Sequence, residues 1–73
     1  PDILVEDKIV VEAKVGDYDR KQILDYEKQY PYGLVVFPWS GGCKTGKWPC
    51  FYYFLKDHER VIKYISSLLN QVK

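Results

Sequence analysis

The absences in this 73-residue chain narrow its function before any motif is read. It has no methionine, a single histidine (His58), and only two cysteines, Cys43 and Cys50. The missing methionine makes a fragment, a processed piece or a minimal version of a larger protein the expectation. One histidine and two cysteines with no Cys-x-x-Cys pair are too few for a zinc site or an iron–sulfur cluster. Free thiols are expected, with a loop-closing disulfide as the alternative. No Ser-His-Asp or Cys-His constellation is visible, and His58 reads as a surface residue at a helix start. Charge of one sign is lacking too. Eleven Lys and Arg against ten Asp and Glu leave +1, less basic excess than a dedicated non-specific nucleic-acid binder carries. No apolar run approaches a membrane span and no signal peptide is visible, so no membrane partner and a cytoplasmic location are expected.

What remains is enough for one small domain, residues 1–73. With 47% hydrophobic and 29% charged residues the chain is globular rather than disordered, though of a size that is only marginally stable alone. Its first fifteen residues organise the rest. Ile3 to Val5 and Ile9 to Val11 are β-branched-rich, and Glu6-Asp7-Lys8 separates them as a turn. Glu12 and Lys14 are two apart and leave the same face of the strand. Asp2 joins that face only if it lies opposite Glu12, which pairs Val5 with Ile9 across a three-residue loop. One face then carries Asp2, Leu4, Val10, Glu12 and Lys14. The other carries Ile3, Val5, Ile9, Val11, Ala13 and Val15, is wholly apolar, and is expected to be buried.

Two carboxylates beside a lysine have a chemical use. Mg²⁺ prefers oxygen ligands and takes one or two carboxylates, leaving other positions to water and substrate phosphate. The Ala13 carbonyl could add a third protein oxygen. Lys14 could hold, orient or deprotonate an attacking water, or balance charge developing on phosphate. The plainer alternative is an edge hairpin whose Glu-x-Lys pair is a surface salt bridge.

Pro1-Asp2, a spacer, and Glu12-Ala13-Lys14 within Val-Val-Glu-Ala-Lys-Val resemble the two motif elements of the PD-(D/E)XK nuclease superfamily. Gln22-Ile23-Leu24-Asp25-Tyr26 is similar to the Gln-x-x-x-Tyr motif of its RecB-like branch, so the resemblance spans about residues 1–37. It implies Mg²⁺-dependent cleavage of DNA phosphodiesters, with Mn²⁺ as a substitute. Asp2 and Glu12 would be metal ligands, Lys14 the catalytic lysine, and Gln22 and Tyr26 supporting residues near metal and nucleic-acid backbone. It also implies a restriction-endonuclease-like core, here without the helix and strand that usually come first. A truncated domain, completed by a homodimer or a partner chain, is therefore expected. The alternative function is a non-catalytic nucleic-acid-binding or assembly module that retains the fold.

Along the remaining chain, Gly16-Asp17 breaks the strand, and Asp17 or Asp19 can cap a helix over residues 18–30 that Pro31 helps to stop. Gly33 to Phe37 is a continuous apolar run, the pattern of a strand buried on both faces, and a helical crossover sets it beside the Glu12 strand. Pro38 to Pro49 is a loop in which Gly41 and Gly46-Lys47 imitate a phosphate loop. Trp48 replaces the metal-binding hydroxyl and Pro49 denies the following helix, so nucleotide binding is rejected there. Lys44, Lys47 and Trp48, with Trp39, could still touch DNA. Phe51 to Leu55 predicts a last strand, and Asp57 the cap of a helix with a stripe of Val61, Ile65, Leu68 and Val72, flanked by Ile62 and Leu69. The expected fold is α/β, order ββαββα, with a mixed sheet of about four strands flanked by two helices.

Overall fold

The computed structural model describes residues 2–15 and 18–72. Pro1, the Gly16-Asp17 break and the candidate cap Asp17 lie outside the described residues. Strands β1 (Ile3–Val5) and β2 (Ile9–Ala13) form the expected hairpin, with Val5 opposite Ile9 and Leu4 opposite Val10. The turn closes through Lys8 N–H donating to the Val5 carbonyl at 3.0 Å, and Glu6 and Asp7 take φ of 54° and 57°. Helix α1 (Arg20–Gln29) starts at Asp19, whose carboxylate accepts the Lys21 amide. The chain then runs through β3 (Tyr32–Val36), parallel to β2, and β4 (Cys50–Phe51), parallel to β3, to helix α2 (Phe54–Val72). The sheet order is β1-β2-β3-β4. The mixed four-stranded α/β sheet with two helices read from sequence is the observed architecture.

Strand periodicity separates two cores. Ile9, Val11, Leu34 and Val36 pack against Val61 and Leu68 of α2. Val10, Val35 and Phe37 pack against Ile23 of α1 and Trp48. No helix joins β3 to β4. The indole of Trp48 fills that part of the layer by lying flat on Gly33, where an added Cβ would come within 2.4 Å of the ring.

Four expectations need correction. The apolar hairpin face is buried only in part: Val15 is 81% exposed, and Ile3 and Ala13 are exposed too. Helix α2 starts where the Phe54 amide meets the Phe37 carbonyl and ends where Lys8 Nζ meets the Val72 carbonyl. It therefore crosses the sheet obliquely and leaves the Ile3–Val15 corner uncovered; Ile62, on its flank, is exposed as well. Second, the Phe51–Leu55 strand stops at Phe51. Tyr53 takes a left-handed φ of 56°, and its carbonyl accepts the Lys56 and Asp57 amides, so α2 begins at Phe54 despite the β-prone sequence. Third, α2 opens at Phe54, ahead of Asp57, although Asp57 still marks where the segment carrying the Val61 stripe begins. Asp57 stands at a kink inside α2 (φ −122°, ψ 40°), with its carboxylate 3.1 Å from Arg60 Nε. Fourth, Cys43 and Cys50 are not free thiols but a disulfide, which pins the loop to the start of β4.

Replacing both cysteines by serine frees that short loop, and the chain-entropy model puts the loss at roughly 2–3 kcal/mol. We expect the urea midpoint of C43S/C50S to fall accordingly. An unchanged midpoint in oxidising buffer would show that the cross-link contributes nothing. Among the described residues no helix is long and apolar enough to cross a membrane.

Candidate functional site

The hairpin ladder ends in an exchange of side chain for backbone. The Asp2 amide donates to Glu12 Oε1 at 3.0 Å, and the Ala13 amide donates to Asp2 Oδ2 at 2.9 Å. Extending the register by one residue beyond Ile3–Val11 sets Asp2 opposite Glu12, so the two acidic residues meet at the C-terminal end of β2. Glu12 is only 2% exposed. A buried carboxylate needs partners to offset lost hydration, and Lys14 Nζ, 3.5 Å from Glu12 Oε2, is one of them.

Lys14 links this pair to α1. Its ammonium donates to Gln22 Oε1 at 3.0 Å and lies 5.7 Å from the centre of the Tyr18 ring, within cation–π range. The strand places Lys14, and the first turn of α1 carries Gln22 to it. Tyr26, one turn on, packs against the layer of Val10, Ile23 and Val35.

The three loop residues fare differently. Lys44 adjoins the site: its amide donates to the Tyr18 hydroxyl at 2.7 Å, and its ammonium lies 3.4 Å from the Tyr18 carbonyl and 5.7 Å from the ring centre. Lys47 sits further along α1, where the Gly46 and Lys47 amides both donate to the Glu27 carboxylate. Trp48 is 5% exposed and belongs to the core. It has no free face to offer a base, and the loop's exposed indole is Trp39 instead.

Two residues that organise the site were not singled out from sequence. The Tyr18 ring has the Lys14 and Lys44 ammonium groups each 5.7 Å from its centre, and Glu27 clamps the loop to α1. Neither carries a motif; Lys44 lies 26 residues from Tyr18, and the Glu27 partners lie 19 and 20 residues away.

The residues that could hold a hard divalent cation are the hairpin carboxylates. Asp2 and Glu12 provide two carboxylates beside the Ala13 main chain, and among the described residues no cluster of three or more Asp, Glu, His or Cys forms a larger ligand set. Mg²⁺ commonly takes one or two carboxylates and keeps several waters; here Glu12 Oε1 already accepts the Asp2 amide, Glu12 Oε2 faces Lys14, and Asp2 Oδ2 accepts the Ala13 amide. Comparison with protein-family models, curated proteins and solved structures finds no match to the chain.

Proposed function

We propose that the chain is a metal-dependent DNA nuclease of the PD-(D/E)XK type that hydrolyses phosphodiester bonds. One observation carries the reading: a lysine ammonium lies 3.5 Å from a buried glutamate and 3.0 Å from a helix-borne glutamine, with an aspartate hydrogen-bonded across the same strand pair. Under this reading the sheet and helices belong to a restriction-endonuclease-like core. Asp2, Glu12 and the Ala13 carbonyl would hold Mg²⁺ or Mn²⁺, which when bound supplies Lewis-acid stabilisation of phosphate charge and a more acidic water. Lys14 presents its ammonium to the attacking water and the phosphate oxygens, and Gln22 fixes where that ammonium points. Tyr26 supports α1 from beneath, and Lys44 is the loop cation near enough to meet the DNA backbone.

Calorimetric titration with Mn²⁺ tests the ligand assignment. The protein should bind the ion, and the D2A/E12A double variant should not. Equal binding by both would remove Asp2 and Glu12 as ligands.

A second reading has its own support. Glu12 is almost wholly buried and already engaged by Lys14 and the Asp2 amide, as a structural ion pair would be, and the Ile3–Val15 corner is apolar and exposed. A non-catalytic nucleic-acid-binding or assembly module, joined to a second copy or a partner chain at that corner, would look the same. Metal binding and cleavage separate the two.

A further inference from the structure

We propose that aromatic rings along the C-terminal edge of the sheet form a stacking track for unpaired DNA bases, so that the site acts on single strands. The proposal rests on the nuclease reading only for what the strand is delivered to. Strands β2, β3 and β4 are parallel, so their C-terminal ends share one edge. Beyond β2 stand Lys14 and Val15; beyond β3, Phe37 to Trp39; beyond β4, Tyr52 and Tyr53.

Ring contacts run from the site outward as far as Tyr52. Lys14 Nζ lies 5.7 Å from the Tyr18 ring, Tyr18 lies 5.9 Å from Phe37, and Phe37 stacks on Tyr52 at 5.3 Å with 12° between planes. Phe37 is fully buried and anchors the ring on either side. At the outer end the Tyr53 amide donates to the Trp39 carbonyl at 2.9 Å, which holds two exposed aromatic residues as neighbours. Trp39 is 55% and Tyr53 50% exposed, and Tyr52 keeps part of its ring outside.

Exposed aromatic faces suit bases that are out of the helix, because a duplex presents base edges in its grooves and keeps the faces stacked. A net charge of +1 offers little grip on duplex phosphates. Lys14 and Lys44 adjoin the inner end of the track over Tyr18, where the backbone of a stacked strand would pass, and Arg60, paired with Asp57, lines the cavity beside Tyr52 and Tyr53 at its outer end.

The test is fluorescence anisotropy in metal-free buffer with a labelled oligo(dT) of about 12 nucleotides, a length in the range such tracks cover, and a duplex of equal length. The single strand should bind at least tenfold more tightly than the duplex. W39A and Y53A should each weaken single-strand binding by roughly tenfold, the scale of one lost base stack. W39F and Y53F, which keep a ring, should restore most of it. I62A, an exposed change on α2, should leave binding as it was, and matching circular dichroism melts guard against misfolding. Equal affinity for duplex and single strand, or wild-type binding by both alanine variants, overturns the proposal. Because binding is read without metal, the two readings fail separately. A protein that prefers single strands but never cuts refutes the nuclease alone, and one that cuts but binds duplex and single strands equally refutes the track alone.

Discussion

E12Q should lower Mg²⁺-dependent cleavage by at least about a hundredfold, and K14M should do the same, while both variants keep the wild-type circular dichroism spectrum. The expectation follows from what each change leaves in place. In E12Q the amide oxygen can still accept the Asp2 amide, so the bond that closes the hairpin survives. What goes is the negative charge, and with it the pairing to Lys14 and the hard anionic ligand. In K14M the stem still packs beside Tyr18, but the ammonium held by Gln22 is gone. The metal dependence of cleavage and the denaturant midpoint, measured on the same preparations, separate chemistry from folding. Undiminished cleavage by both variants would reject the enzymatic reading.

The largest effect on stability is expected from F37A, a loss of roughly 3–5 kcal/mol. Phe37 is fully buried, its ring lies between Tyr18 and Tyr52, and Gly41 packs so closely on it that an added Cβ would come within 2.4 Å. Truncation therefore opens a cavity that three separate segments border, and collapse of one cannot fill it. A domain of this length has a total stability of only about 4–11 kcal/mol. F37A should thus unfold at much lower urea and be partly unfolded at 37 °C. F37L, which keeps most of the volume, should lose only about 1 kcal/mol. A far-UV midpoint for F37A close to wild type would show that the ring is not the packing centre described here.

How much could be read beforehand differs between elements for physical reasons. The Val5–Ile9 pairing followed from alternation and from the requirement that Asp2 face Glu12. The buried strand after α1 followed from an unbroken apolar run that only a two-sided core can use. The Asp19 cap is a bond between residues two apart. By contrast, the β-prone run Phe51 to Leu55 was cut short by a turn at Tyr53 that depends on the Trp39 carbonyl. Burial of Ile3 and Val15 would have needed a helix overhead, and the oblique path of α2 denies it to them.

The order of elements, the hairpin register and the acid–acid–lysine grouping at the end of β2 were determined by the sequence alone, because each depends on contacts between near neighbours or on a period of two. Only the tertiary structure decided that Trp48 is walled in while Trp39 stays outside, that the Tyr18 ring gathers two ammonium groups, and that Cys43 reaches Cys50. Those outcomes depend on which rings and amides meet when separate segments close over the same sheet, and no local pattern encodes such a meeting.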